Sequence, residues 1–174
     1  MSGKIIAIFL VAVGLVAGMA MYWLQIHAFY EEARLATDGG HVVMRVTRSD
    51  GNTAEISVAD FQAIDATSSP IRFRACFVTS AAHNGLALYP KAQPLVAPGW
   101  FDCFDAATVG EDLAAGRAVA VLGEQTIVYG IDRVLALYSD GRAFAWHQIN
   151  ACGEVVFKGD PPPDGCPPVP EKLN

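Results

Sequence analysis

The sequence lacks the short motifs that identify most enzyme classes. It contains no GxSxG, no P-loop, no GxGxxG, no HExxH and no CxxC. Those patterns mark serine hydrolases, nucleotide-binding proteins, zinc proteases and thiol-redox or zinc-ribbon sites. The enzyme interpretation is therefore weak, and we expect no catalytic residues, no cofactor and no metal site.

Basic residues are few. The chain has 12 Lys and Arg against 18 Asp and Glu, which gives a formal net charge of −6. Because Lys4 is the only charged residue before Glu31, subtracting its charge leaves −7 on the rest of the chain. Phosphate backbones repel such an acidic domain, so we expect no nucleic-acid partner.

Charged residues are absent from Ile5 to Leu24, a run of 20 residues. An α-helix of that length crosses a hydrocarbon core of about 30 Å, and an isolated segment in lipid must be helical to satisfy its backbone. We therefore predict a retained signal-anchor that spans the lipid bilayer. The alternative is a cleaved signal peptide, with Gly18 and Ala20 before the cut, but this apolar run exceeds the usual length of about 7–15 residues.

The flanks of this run predict its orientation. Lys4 precedes the run, and the amphipathic rings of Tyr22 and Trp23 lie near its end, where they favour the membrane interface. Because positive charge favours the cytoplasmic side, we expect residues 1–4 inside and the rest of the chain outside.

Gly14 and Gly18 form a GxxxG within the anchor. Small residues one helical turn apart let a second helix approach closely. The pair predicts packing against a membrane-protein partner or a second copy of this chain. The alternative is that glycine is simply common in membrane helices.

All four cysteines, Cys76, Cys103, Cys152 and Cys166, follow the anchor. An even number in an oxidising compartment predicts disulfide bonds, and four cysteines allow three pairings. The pairing with the shortest loops joins Cys76 to Cys103 and Cys152 to Cys166. Closing the 14-residue loop from Cys152 to Cys166 contributes about 3 kcal/mol by loop entropy.

The residues after the anchor predict an α+β fold: a small, mostly antiparallel β-sheet domain with short helices. Gln25 to Thr37 is rich in helix formers and is expected to extend the anchor helix out of the membrane. His41 to Val58 predicts a hairpin with a three-residue Asp50-Gly51-Asn52 loop. That loop pairs Val46 with Ile56 and puts the apolar residues on one face.

Two capping-box matches predict short helices. Ser57-Val58-Ala59-Asp60 would begin a helix through Ile64, and Thr108-Val109-Gly110-Glu111 a second one. Between them, Pro70 to Val78 alternates as a half-buried strand does. Ala118 to Leu122 is a short apolar run and predicts a further strand.

Thr126 to Ile149 predicts a second hairpin. Asp140-Gly141 is a strong signal for a two-residue turn. Counting outward from that turn gives one apolar core face, with Leu137 opposite Phe144 and Leu135 opposite Trp146. His147 is then expected on the opposite face of the sheet.

Two places are candidate binding sites. His147 is the most interesting of the four scattered histidines, His27, His41, His83 and His147. It is either a ligand or base, or a histidine satisfied by hydrogen bonds. Asp132 and Arg133 could orient it or bind an anion; the alternative for this pair is a solvated strand end. Trp100, Phe101 and Phe104 surround Cys103 and form either a recognition patch or packing beside a disulfide. Arg72 and Arg74 predict a solvated sheet face.

Four stretches carry a resemblance to a known family: the N-terminal apolar helix, the Asp140-Gly141-Arg142 turn, the run His147-Gln148-Ile149-Asn150-Ala151-Cys152-Gly153, and Gly165-Cys166-Pro167. Together they resemble an uncharacterised family of small single-pass membrane proteins of alphaproteobacteria. The resemblance implies a bacterial inner membrane, with the N-terminus cytoplasmic and the domain periplasmic. It implies no activity.

The predicted organisation is a cytoplasmic stub, anchor and helical extension (1–37), a periplasmic α+β domain (38–157) and a Pro-rich tail (158–174). Three functions remain. The first is a non-catalytic accessory, assembly or interaction subunit of an inner-membrane complex. The second is a periplasmic metal-handling or thiol-redox module, which free thiols or bound metal would favour. The third is an anchored hydrolase, which a pocket joining His147, Asp132 and a hydroxyl would favour.

Overall fold

The structure, a computed structural model, describes residues 3–25, 30–35, 37–38 and 41–171. Its helices and strands are α1 (Gly3–Trp23), β1 (Glu31–Glu32), β2 (Thr37–Asp38), β3 (His41–Thr47), β4 (Thr53–Ser57), β5 (Ala59–Asp65), β6 (Arg74–Val78), α2 (Ala106–Ala114), β7 (Ala118–Leu122), β8 (Ile131–Tyr138), β9 (Arg142–Ile149) and α3 (Ala151–Val156). The α+β class expected from the sequence is confirmed.

Helix α1 contains the charge-free run except for its last residue, Leu24, and none of the helix residues is buried. It is long and apolar enough to cross a membrane. A membrane anchor and a signal sequence both have these properties. The predicted helical extension from Gln25 to Thr37 is wrong for residues 30–35 and 37–38, whereas residues 26–29 and 36 lie outside the described residues. Glu31–Glu32 instead forms a short edge strand that pairs antiparallel with β5, and Thr37–Asp38 pairs with β3. Backbone pairing with the sheet outweighs the helix propensity of this segment.

The domain is built on a six-stranded antiparallel sheet in the order β1-β5-β6-β9-β8-β7. A smaller sheet, β2-β3-β4, packs its apolar face on one side of it. That interface holds the larger core, including the fully buried Met44, Val46 and Leu135. The other side of the large sheet is covered by α2 and the long segment before it, around Trp146, Phe104 and Val109. The central strands are therefore buried on both faces.

The first hairpin has the predicted apolar face but a different register. Met44 pairs with Ile56 and Val46 with Ala54, two positions from the expected partners. The backbone N–H of Arg48 donates to the carbonyl of Asn52, which closes a three-residue Ser49-Asp50-Gly51 loop. Gly51 has φ of +83° at the third loop position, where this loop type requires the left-handed region. A shift by two residues keeps every side chain on its face.

The predicted register of the second hairpin is wrong by one residue. Leu137 pairs with Ala143 and Leu135 with Ala145, around a Ser139-Asp140-Gly141 loop with the same left-handed third glycine. A shift by one residue exchanges the faces. The two leucines therefore lie in the core beneath the small sheet, whereas Phe144 and Trp146 lie on the other side of the large sheet.

Both capping-box assignments need correction. Ala59–Asp65 is strand β5, with Asp60 at a φ of +51° where its pairing with β6 is irregular. Helix α2 begins at Ala106, two residues before Thr108, because the side chain of Asp105 caps it by accepting from the backbone N–H groups of Ala107 and Thr108. The strand at Ala118–Leu122 lies where it was expected.

Candidate functional site

His147 lies near the end of β9 and is almost fully buried, with 3 % of its surface exposed. Its neighbour across the sheet is Arg133 of β8. Its imidazole stacks on Phe73, with ring centroids 4.6 Å apart and planes 22° apart. His147 and Trp146 thus point to opposite sides of the sheet.

Both ring nitrogens of His147 have partners within the chain. Nδ1 lies 2.7 Å from the carbonyl oxygen of Pro70, which can only accept, so Nδ1 carries the proton. Nε2 then accepts from the guanidinium of Arg133, at 3.2 Å from Nε and 3.1 Å from Nη2. A metal ion or a substrate proton could reach Nε2 only by displacing Arg133.

Electrostatics keep this histidine neutral. Burial, followed by the nearby charge of Arg133, lowers the pKa of His147 from 6.5 to about 4. Arg133 itself lies 3.6 Å from a carboxylate oxygen of Glu124, and its guanidinium carbon is 4.6 Å from the centre of the Phe73 ring. Burial also lowers the pKa of Arg133. The cluster is suited to holding two strands and a turn together.

Asp132 does not orient His147. Adjacent strand residues point to opposite faces, and Asp132 is buried on the face that His147 does not occupy. Its Oδ1 accepts from the backbone N–H of Thr126 at 2.9 Å and from the side-chain amide of Asn150 at 2.9 Å. Its Oδ2 lies 3.4 Å from the hydroxyl of Tyr89. The arrangement of His147, Asp132 and a hydroxyl that a hydrolase would need is not formed.

Gln148 and Asn150 also bond to segments of this chain. The side-chain oxygen of Gln148 accepts from the backbone N–H of Gln93, and its amide donates to the carbonyl of Lys91, both at 2.7 Å. The side chain of Asn150 caps α3 by accepting from the backbone N–H of Gly153 at 3.0 Å. The run from His147 to Asn150 therefore fastens three separate segments to the sheet.

The expectation of a solvated arginine face is wrong for Arg74, of which only 5 % is exposed. Its guanidinium donates to the carbonyl oxygens of Ile71, Phe73, Leu95 and Val96. Burial lowers its pKa to about 10, so it remains charged at neutral pH. Arg72 places its guanidinium 5.4 Å from the ring centre of Tyr30. The two arginines organise loops of this chain.

The aromatic cluster is divided by the fold. Phe104 belongs to the core and packs edge-to-face on Phe144, with centroids 5.9 Å apart. Trp100 is 38 % exposed and packs edge-to-face on Tyr30, also at 5.9 Å. Phe101 is half-buried between them, 6.3 Å from Trp100. Of the three candidate residues, Trp100 is thus the one that presents a large surface to solvent.

The remaining candidates lie apart from His147. Disulfide bonds join Cys76 to Cys103 and Cys152 to Cys166. Gly14 and Gly18 lie on α1 with no other described atom within 4 Å of where a Cβ would stand. His83 is exposed, and His27 lies outside the described residues. Within the described ranges no group of three or more His, Cys, Asp or Glu is placed to hold a metal ion.

An open groove of about 1000 Å³ lies at the other end of β8 and β9 from His147. Arg117, Tyr138 and Asp140 are among the residues that line it. Arg117 and Tyr138 are both tied to Asp112, with the tyrosine hydroxyl 2.7 Å from the carboxylate. Hydrogen bonds from Tyr138 and then Arg117 lower the pKa of Asp112. Both Arg117 and Tyr138 are thus engaged by a carboxylate of this chain.

The sequence names Arg133 among the residues that could orient His147, but it does not predict that the two are cross-strand neighbours. The expected register, with Leu135 opposite Trp146, places Val134 opposite His147 instead. The signal that would have found it is the three-residue Ser139-Asp140-Gly141 loop, which moves each β8 partner by one position. Similarly, the sequence gives no sign that Arg74 is buried, because its partners are backbone carbonyls.

Comparisons with known proteins give one family. No curated protein and no solved structure matches this chain significantly. The family described as DUF6446, a family of unknown function, matches residues 43–167. The match covers the strands from β4 to β9, all four cysteines and His147, and it begins after α1. This chain therefore belongs to the DUF6446 family.

Proposed function

We propose that this protein is a single-pass accessory or assembly subunit of a bacterial inner-membrane complex. Its N-terminus faces the cytoplasm, its disulfide-bonded domain lies in the periplasm, and it performs no catalysis of its own. The observation that carries the proposal is the contrast between two parts of the chain. The polar groups around His147 are engaged by the chain's own atoms, whereas no residue of α1 is buried within the protein.

The anchor supplies the interaction surface in this proposal. Lipid tails are as apolar as leucine, so hydrophobicity does not drive helices together within a bilayer. Close van der Waals contact does, and Gly14 and Gly18 form a shallow groove on one face of an otherwise bulky helix. The partner is a membrane protein or a second copy of this chain. The resemblance to small alphaproteobacterial membrane proteins supports the compartment, as do the two disulfide bonds.

The decisive experiment is purification in a gentle detergent, with identification of the co-purifying proteins by mass spectrometry. Gly14→Leu with Gly18→Leu keeps the segment apolar and fills the groove. We expect membrane localisation to persist and association to be lost. The matched control is Ala12→Leu with Val16→Leu, which has the same spacing of four residues and faces the opposite side of the helix. The control should associate as the wild type does.

Three results would contradict the proposal. The first is association that survives filling the groove; the second is a wild type that never recovers a partner. The third is a C-terminal reporter that is active in the cytoplasm, which would reverse the orientation. Free thiols with a co-purified metal would favour the metal-handling alternative instead.

A further inference from the structure

A loop on the domain presents apolar side chains to solvent. Val96 is 81 % exposed and Trp100 is 38 % exposed. The loop between them is ordered: the backbone N–H of Phe101 donates to the carbonyl of Pro98 at 2.9 Å. The buried guanidinium of Arg74 binds the backbone where this loop begins. It donates to the carbonyl oxygen of Leu95 at 2.6 Å and to that of Val96 at 3.2 Å. A charged side chain is thus buried to fix the backbone from which these apolar groups project.

Tyr30 connects this loop to the anchor. Its ring packs edge-to-face on that of Trp100, with ring centroids 5.9 Å apart. The guanidinium carbon of Arg72 lies 5.4 Å from the centre of the Tyr30 ring. Tyr30 is only six residues beyond Leu24, the last residue of the apolar run that we assign to the anchor. A fully extended chain spans at most about 3.6 Å per residue, so Tyr30 lies within about 22 Å of Leu24.

This short connection limits the distance between Trp100 and the bilayer. The run from Ile5 to Leu24 is long enough to fill the hydrocarbon core, so Leu24 marks its boundary. The headgroup region beyond that boundary is about 5–8 Å thick on each side. The length of a fully extended chain is therefore the upper limit on the distance between Tyr30 and this boundary.

We infer that Tyr30, Val96 and Trp100 form a membrane-docking patch, by which the domain rests on the headgroup region of the bilayer beside its own anchor. The inference rests on the proposed membrane anchoring and goes beyond it, because a tethered domain need not touch lipid. Tyrosine and tryptophan favour this region because an apolar ring and a polar tip are both accommodated there. The guanidinium of Arg72 lies beside the ring of Tyr30 within this patch.

The chemistry of the patch selects the kind of lipid surface. The chain beyond Lys4 carries −7, so a strongly anionic surface repels the domain as a whole. Docking therefore depends on the aromatic and aliphatic side chains, and a zwitterionic phosphatidylcholine surface is sufficient. The source of the binding energy is partition into the interface, not general electrostatic attraction.

Tryptophan quenching by brominated lipid tests the inference on the full chain. The protein has three tryptophans: Trp23, Trp100 and Trp146. The variant Trp23→Phe leaves the patch and the core tryptophan, and Trp23→Phe with Trp100→Phe leaves only the core. Each is reconstituted in phosphatidylcholine vesicles, with and without bromine near the headgroup end of the acyl chains. Trp146 has 0 % of its surface exposed, so it is the internal control.

We expect brominated lipid to reduce the emission of Trp23→Phe and to leave that of the double variant unchanged. Bromine near the ends of the acyl chains should quench less, because the patch lies at the surface. Equal emission with and without bromine in Trp23→Phe would overturn the inference, and would favour a protein partner for the patch. The variant Trp100→Phe separates the two proposals: quenching of its Trp23 reports insertion of the anchor whether or not the patch touches lipid.

Discussion

Acidification should destabilise the folded domain through one buried side chain, His147. Burial and the charge of Arg133 lower its pKa from 6.5 to about 4 in the folded chain. In the unfolded chain the same imidazole is solvated and titrates near its ordinary value. Between these two pKa values the unfolded chain binds more protons, so the free energy of unfolding falls as the pH falls.

The magnitude follows from the size of the shift. One pKa unit corresponds to about 1.4 kcal/mol, so a shift from 6.5 to about 4 contributes roughly 3 kcal/mol. This contribution is fully present above pH 6.5, declines through the window, and is lost below about pH 4. The carboxylates with lowered pKa, such as Asp105 and Asp112, lose their contributions below their usual value of 3.8 and so act at lower pH.

Asp65 acts in the opposite sense. Burial raises its pKa, so in the folded chain it takes up a proton more readily, and this opposes the loss of stability on acidification. The wild-type profile therefore contains both effects, and a matched variant is needed to isolate the histidine. His147→Asn is that variant, because its amide can donate to the carbonyl of Pro70 as Nδ1 does and does not titrate.

The assay is urea unfolding of the full chain in detergent micelles, with Trp23→Phe and Trp100→Phe in both proteins so that the buried Trp146 is the one tryptophan whose emission is followed. The free energy of unfolding is measured from about pH 7 to about pH 4, and the difference between wild type and His147→Asn is plotted against pH. We expect that difference to shrink by about 3 kcal/mol as the pH falls through the window. Parallel profiles would refute the reasoning, because they would mean that His147 titrates alike in the folded and unfolded chains.

Two further changes test the close packing and the covalent links of the domain. Gly153→Ala would press a methyl group against the carbonyl oxygen of Gly130. We expect urea unfolding of this variant to show a free energy of unfolding lower by about 1–3 kcal/mol. The control is Gly99→Ala, whose methyl group would meet nothing within 4 Å and should leave the stability unchanged. Thiol counting on the denatured wild type should find no free thiol. Replacing Cys152 and Cys166 by serine should lower the free energy of unfolding by about 3 kcal/mol. Two free thiols in the wild type, or no loss of stability in this variant, would contradict the disulfide assignment.

The register of the last hairpin shows where sequence patterns stop being informative. Alternation fixes a register only when one face of a strand is polar. Leu135 and Leu137 face one core, whereas Val134 and Ala136 face the other, so β8 is apolar on both sides. The Asp140-Gly141 pair then favours a two-residue turn by default, and the actual loop of three residues shifts every pair by one.

For the same physical reason, the faces of the first hairpin are predicted correctly from the sequence. Met44 and Val46 are fully buried, whereas Arg45 between them is exposed, so one face is clearly marked. A shift of two residues changes the partners but not the face. The helix predicted through Thr37 failed differently: its residues favour a helix locally, but pairing of Glu31–Glu32 with β5 is a contact between distant parts of the chain that no local pattern contains.

The run from Trp146 to Asn150 attracts attention in the sequence because polar side chains follow one another on a buried strand. Each of them bonds to a different segment: His147 to the turn at Pro70, Gln148 to the loop around Gln93, and Asn150 to Asp132 and α3. Buried polar groups require partners, and a strand near the middle of a sheet meets many segments. Folding alone is therefore sufficient to account for a polar run of this kind. The search for function then turns to groups whose exposure folding does not require, and these are the face of α1 around Gly14 and Gly18 and the loop that carries Val96 and Trp100.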